Sequence, residues 1–303
     1  EGASAGKAVV SEAIAAITGD VGVGGVAEGL LRLTGSALLQ AGTPGEGHAF
    51  RVGFTGDQPG VVQLEGFPGE TPRLEIAGDL SLGTDGAASV AVSSGLVSAT
   101  GAMTLSRGDI AIAAKAEDAF RSRLAVEGGA LIEGPGDGAD TTVELTASAL
   151  DVKPNLDFVN GRVTASGFLN ESLVDPNAPL EDSAALVKVG DLLTVGTIDP
   201  TVQGDARLRL LSGAVADVGE LRIRSGEVAL LTPENVARPT TLQSFFSITV
   251  GNAPETSGRV GALRILGESF VEAPEGILVK GTGRVFFTRG AVFPRPRVEA
   301  GGK

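Results

Sequence analysis

Apolar and polar residues alternate with a period of two along most of this chain, and that alternation limits the available folds more than any other feature. From about Gly45 onward, Leu74, Ile76, Leu80 and Leu82 alternate with Glu75, Ala77, Asp79 and Ser81. Val90 and Val92, Ile110 and Ile112, and Val143 and Leu145 repeat the habit, and Leu208 and Leu210 alternate with Arg207 and Arg209 as Leu221 and Ile223 do with Arg222 and Arg224. Successive strand side chains point to opposite faces, so each segment predicts a strand with one dry and one wet face. A doubly wound parallel sheet, covered on both sides, would instead read as continuous apolar runs. Asp85-Gly86, Asp137-Gly138 and Asn160-Gly161 supply turns between strands. The expected fold is therefore mainly β, with a body that is either an antiparallel sandwich or an irregular β-solenoid.

The first forty residues carry a different period. Val9, Val10, Ala13, Ile14 and Ile17 recur at helical spacing, with Ser4 placed as an N-cap and Gly19 as a stop, and a second helical pattern runs from Val26 to Leu39. This predicts a short helical N-terminal segment, an arm or cap over 1–43. The Pro- and Asn-rich stretch containing Pro154, Pro176 and Pro179 reads as an irregular connection. The expected division is a β-rich domain over 44–150, a loop or linker over 151–185, and a second β-rich domain with a basic tail over 186–303.

Internal repetition is faint. Gly followed by x-apolar-x-apolar occurs at Gly78, Gly108, Gly219 and Gly261, but the intervals share no period, unlike those of a regular solenoid.

Composition narrows the function. The 303 residues include 45 Gly but no Cys, Trp or Tyr, and a single Met. Disulfides, thiolate nucleophiles and Cys-ligated metals are excluded. The 12 Phe offer no polar handle, so sugar-stacking and base-stacking platforms lack their usual parts. A net charge of −13 opposes binding to a phosphate backbone, so no nucleic-acid partner is expected. The longest charge-free stretch, Gly86 to Ser106, is too rich in Ser, Thr and Gly to span a membrane. The lack of oxidisable side chains, with Glu1 where a start methionine would stand, fits an exported chain after removal of an N-terminal signal, at the cell surface or outside the cell.

Motifs for chemistry are weak. His48 is the single histidine, and no Gly-x-Ser-x-Gly elbow accompanies it. Gly22 to Ala27 matches a Gly-x-Gly-x-x-Ala fingerprint without the strand-turn-helix context that a dinucleotide needs. Arg107-Gly108-Asp109 spells an adhesive tripeptide at the entry to a strand, where Gly and Asp serve a turn equally well. Asp137, Asp140, Asp151, Asn155 and Asp157 are the weak candidates for calcium, which takes six to eight oxygens from flexible loops. No catalytic residue and no other cofactor is assigned.

The tail is the most informative segment. Ile277 to Lys303 holds six cations against Glu299, a net of +5 that leaves −18 for the remaining chain, and Val285, Phe286, Phe287, Val292 and Phe293 lie among these cations. Such a segment has apolar groups to bury and a charge attracted to an acidic body. The expected function is that of a secreted structural subunit, not an enzyme, which self-assembles head to tail into a filament, sheath, surface layer or extracellular matrix, with an envelope anchor as a further partner. The assembly contacts are expected from Val9, Ile14 and Ile17 at one end and Arg284, Phe286, Phe287, Arg289 and Phe293 at the other. The alternatives are a monomeric cell-surface adhesin or binding module, and a hydrolase working through His48 or carboxylates.

Overall fold

The structure is a computed structural model and describes residues 6–56, 58–114, 122–134, 141–167, 185–199, 205–233, 238–252, 260–288, 290–292 and 296–298. The chain winds into stacked coils, each contributing three short strands. Gly6–Ser11, Ile14–Ile17 and Val21–Val23 form the first coil, and Gly29–Thr34, Leu38–Ala41 and His48–Val52 form the second. All three pairs are parallel, with Gly6 opposite Gly29, Ile14 opposite Leu38 and Val21 opposite Phe50. The same succession continues along the chain, so the stack has three faces. On the first face the ladder runs from Gly6–Ser11 to the final strand Gly283–Phe287.

From Leu156 the corners tighten, and single strands serve two faces. Leu156–Ser166 pairs on the third face through Leu156–Phe158 and on the first through Arg162–Ser166. Leu186–Val195 and Val215–Ile223 each cover the second and third faces. The ladders are continuous across 151–167 and 186–195.

Alternation places the apolar set inside. One inward column of the first face reads Leu33, Leu64, Val92, Ile112, Leu145, Ala165, Leu210, Leu230 and Ile265, all buried. Stacking like on like at each level lets neighbouring coils close-pack, and each large side chain so buried contributes about 1.5–3 kcal/mol.

One corner of the coil admits almost only small residues. The column that opens the first face is Gly6, Gly29, Gly60, Ala88, Gly108, Thr141, Gly161, Ala206, Gly226, Gly261 and Gly283. A Cβ on Gly60 would lie 2.1 Å from the Val23 carbonyl, on Gly108 1.9 Å from that of Ala88, and on Gly283 2.0 Å from that of Val250. Backbone therefore passes where a side chain would stand. The chain length between successive column members varies widely: Ala88 to Gly108 spans 20 residues, and Gly161 to Ala206 spans 45.

Two expectations are corrected. No helix occurs among the described residues, and the N-terminal segment is strand. Glu12 at φ 49° and Gly35 at φ 65° turn the chain where a helix would have to continue. Val10 and Ala15 pack inward against the core, while Val9 and Ile14 face out, so the edge of a neighbouring sheet has overridden the helical spacing. The antiparallel sandwich is also replaced, because the named strand pairs are parallel. A closed coil buries its inner face and wets its outer face, and so produces the same alternation as a half-solvated antiparallel sheet.

Candidate functional site

The ends of the stack are where the described chain leaves apolar surface and strand edge open. At the N-terminal end, Gly6–Ser11 pairs on one side with Gly29–Thr34, and no partner stands on its other side among the described residues. Val9 is 52% exposed, Ile14 77% and Ile17 40%, with Val26 beside them at 77%. Within this coil a cavity of about 730 Å³ opens between Ala8, Ile17, Val21, Leu31, Leu39 and Phe54. The cavity opens beside Ala8, at an inward position that the next coils fill with Leu31, Val62 and Val90. Gly22 to Ala27, the fingerprint-like segment, forms part of its rim.

At the opposite end, Gly283–Phe287 pairs only with Gly261–Gly267 among the described residues. Phe286 is 39% exposed, Phe287 59% and Val292 55%, and Arg284 is exposed. Arg289 and Phe293 lie outside the described residues. Phe286 is covered on one side by Arg264, its register partner, whose guanidinium stands 4.6 Å from the ring centroid. Arg264 also donates from Nε to Glu227 at 2.7 Å. The remaining exposed large apolar residues, Phe67, Ile198, Leu231, Phe245, Phe246 and Val260, are spread along the stack.

The described calcium candidates, Asp151, Asn155 and Asp157, each have their own surroundings. Asp137 and Asp140 lie outside the described residues. Asp151 stands on the second face, its carboxylate engaged by Arg123. Asn155 Oδ1 accepts from the Leu192 amide at 3.2 Å, and Asp157 is exposed on the third face. Among the described residues no three His, Asp or Glu side chains gather as a metal site.

His48 opens the third strand of the second coil, with Nε2 3.1 Å from Glu46 Oε2 and Nδ1 3.4 Å from Asp20 Oδ1. Both ring nitrogens thus face carboxylates, an arrangement that ties a corner and leaves neither nitrogen aimed at a nucleophile. Asp20 also accepts from the Ala49 amide at 2.9 Å, which holds its carboxyl below the usual range, with Arg51 and His48 adding to the effect. In Arg107-Gly108-Asp109 the glycine belongs to the small-residue column at φ 127°, and Asp109 accepts from the Thr142 hydroxyl at 2.6 Å.

Sequence reasoning missed the glycine column and the terminal cavity. The signal for the first was present at Gly108 and Gly261, two of the four echoes, which share that column. Gly78 starts a third-face strand, and Gly219 sits at a bend between faces. Comparison with protein families, curated proteins and solved structures finds no match.

Proposed function

We propose that this chain is an exported structural subunit of β-solenoid type that stacks end to end with copies of itself into a filament or layer. The observation that carries the reading is Gly6. Other glycines of its column are there because backbone from a neighbouring corner or coil fills the space of a Cβ, yet around Gly6 no atom of the described residues beyond its chain neighbours comes within 4 Å of that position. A second copy docked in the same register would set its Gly283 on Gly6, Val285 on Ala8 and Phe287 on Val10, bringing the Val285 side chain to the Ala8 side of the first-coil cavity.

Charge favours the same pairing. Residues 6–28 carry Lys7 against Glu12, Asp20 and Glu28, facing the cationic final segment. Arg284 would stand beside Lys7, a like-charge contact that the surrounding carboxylates offset. Contacts between unlike ends do not close on themselves and propagate. Export draws its support from the absence of Cys and the near absence of Met.

The test uses one charged substitution per end, Ile14→Glu and Phe287→Glu, both at exposed side chains. Sedimentation and electron microscopy of the full chain should give polymers. Each variant alone should be a folded monomer by circular dichroism, and an equal mixture should stop at dimers, because one open end of each kind remains. A wild-type chain that stays monomeric at the highest attainable concentration overturns the reading. So does a Phe287→Glu protein that pairs with itself.

A further inference from the structure

The third face carries a cleft of about 330 Å³ near its C-terminal end, lined in part by Ile198, Glu220, Arg222 and Thr249. Its centre of charge is a column of three residues. Ile223 is in register with Val250, and Val250 with Val279. The ladder continues one step further, because the Gly251 amide donates to the Ile223 carbonyl at 2.7 Å and the Lys280 amide to that of Val250 at 2.9 Å. Arg224, Gly251 and Lys280 therefore succeed one another across three coils, and at about 4.8 Å per coil the outer two backbones stand about 10 Å apart.

Gly251 keeps the middle of the column empty. It has φ 87°, and a Cβ there would lie 2.1 Å from the Gly283 amide nitrogen, so no side chain fits between the two cations. Asn252 fixes the gap from the side: it is buried, its Nδ2 donates to the Arg224 carbonyl at 2.8 Å, and its amide donates to the Thr282 hydroxyl at 3.0 Å. Arg222 is already neutralised, donating from Nε and Nη2 to both oxygens of Glu220 at 2.8 and 2.9 Å. Arg224 and Lys280 have no ion-pair partner among the described residues.

We propose that this notch is a binding site for an oxyanion, a carboxylate, sulfate or phosphate group held between the Arg224 guanidinium and the Lys280 ammonium. A guanidinium offers a planar fork to two oxygens, and an ammonium adds a point charge from the other side. The Thr249 hydroxyl, two positions along the strand in the same cleft, supplies a further donor. With no Trp or Tyr in the chain, the ligand is recognised by its charge and not by ring stacking. The group comes either as a free ion or carried on a sugar. The remainder of this acidic chain repels polyanions in general, so saturable anion binding reports a specific place.

Calorimetric titration of the full chain with inorganic phosphate, inorganic sulfate and glucuronate tests this. Saturable binding of at least one probe is expected. Arg224→Gln with Lys280→Gln should weaken it by about tenfold or more, as befits the loss of charged hydrogen bonds. Lys280→Arg should retain binding, and Arg162→Gln, on the first face, should leave it unchanged. Glucuronate binding more tightly than either ion places the group on a sugar, and the reverse marks a free anion as ligand. The proposal fails if none of the three probes saturates, if the double variant titrates like the wild type, or if Arg162→Gln loses as much.

Discussion

Arg264 lies over Phe286 at 4.6 Å, and the two residues are direct neighbours in the ladder that ties the last first-face strand to the stack. Glu227, accepting from Arg264 Nε at 2.7 Å, holds the guanidinium in place. The final coil is thus held by a carboxylate, a cation and a ring drawn from three successive coils. Arg264→Gln should remove about 0.5–1 kcal/mol of local stability, the usual strength of a cation–ring contact at an exposed site. Hydrogen exchange should show faster opening of 283–287 with the central coils unchanged.

Replacing Gly60 by Ala tests the small-residue column. The new methyl would meet the Val23 carbonyl at 2.1 Å, which forces backbone apart and should cost about 1–3 kcal/mol. Gly6→Ala, in the same column but with open space, should change urea stability by no more than about 0.5 kcal/mol. Equal losses in the two variants would mean that the column is not set by packing.

Ile112 is 1% exposed at the centre of the inward column, between Val92 and Leu145. Ile112→Ala should cost about 2–5 kcal/mol, since rigid coils above and below prevent collapse of the cavity. Ile14→Ala, at a side chain 77% exposed, should leave the stability of the chain within about 0.5 kcal/mol of wild type. Chemical denaturation of both at low protein concentration separates core from end.

Asp20 gives a pH signature. Its folded-state pKa is lowered, chiefly by the Ala49 amide, so its contribution is fully present above the unfolded value near pH 4 and is lost as pH falls through the folded value. Asp20→Asn should therefore be less stable than wild type at neutral pH by a constant margin that closes below about pH 4. Thermal unfolding across that range reads the convergence.

Legibility of the fold divided along physical lines. The alternation at Leu74–Leu82 correctly marked strands with one buried face, but direction is invisible to a pattern that records only which side is wet. The coil period was hidden because 20 residues separate Ala88 from Gly108 and 45 separate Gly161 from Ala206, so that no fixed repeat length is left to see. Near the N-terminus, Val10 and Ala15 belong to two strands joined at Glu12, and a strand–corner–strand path places apolar residues at intervals a helix also uses. At the ends of the stack, Val9, Ile14, Ile17, Phe286 and Phe287 are exposed, which the sequence pattern alone did not indicate. The Arg224–Gly251–Lys280 column was not legible, since its members lie 27 and 29 residues apart and meet only through the register of the third face.

The ladder bonds between coils run along the stack, which bears on how the chain would carry load. A pull along that direction loads the boundaries between coils in series, and each resists through all its hydrogen bonds at once. Rupture force is then set by the weakest boundary and not by total length.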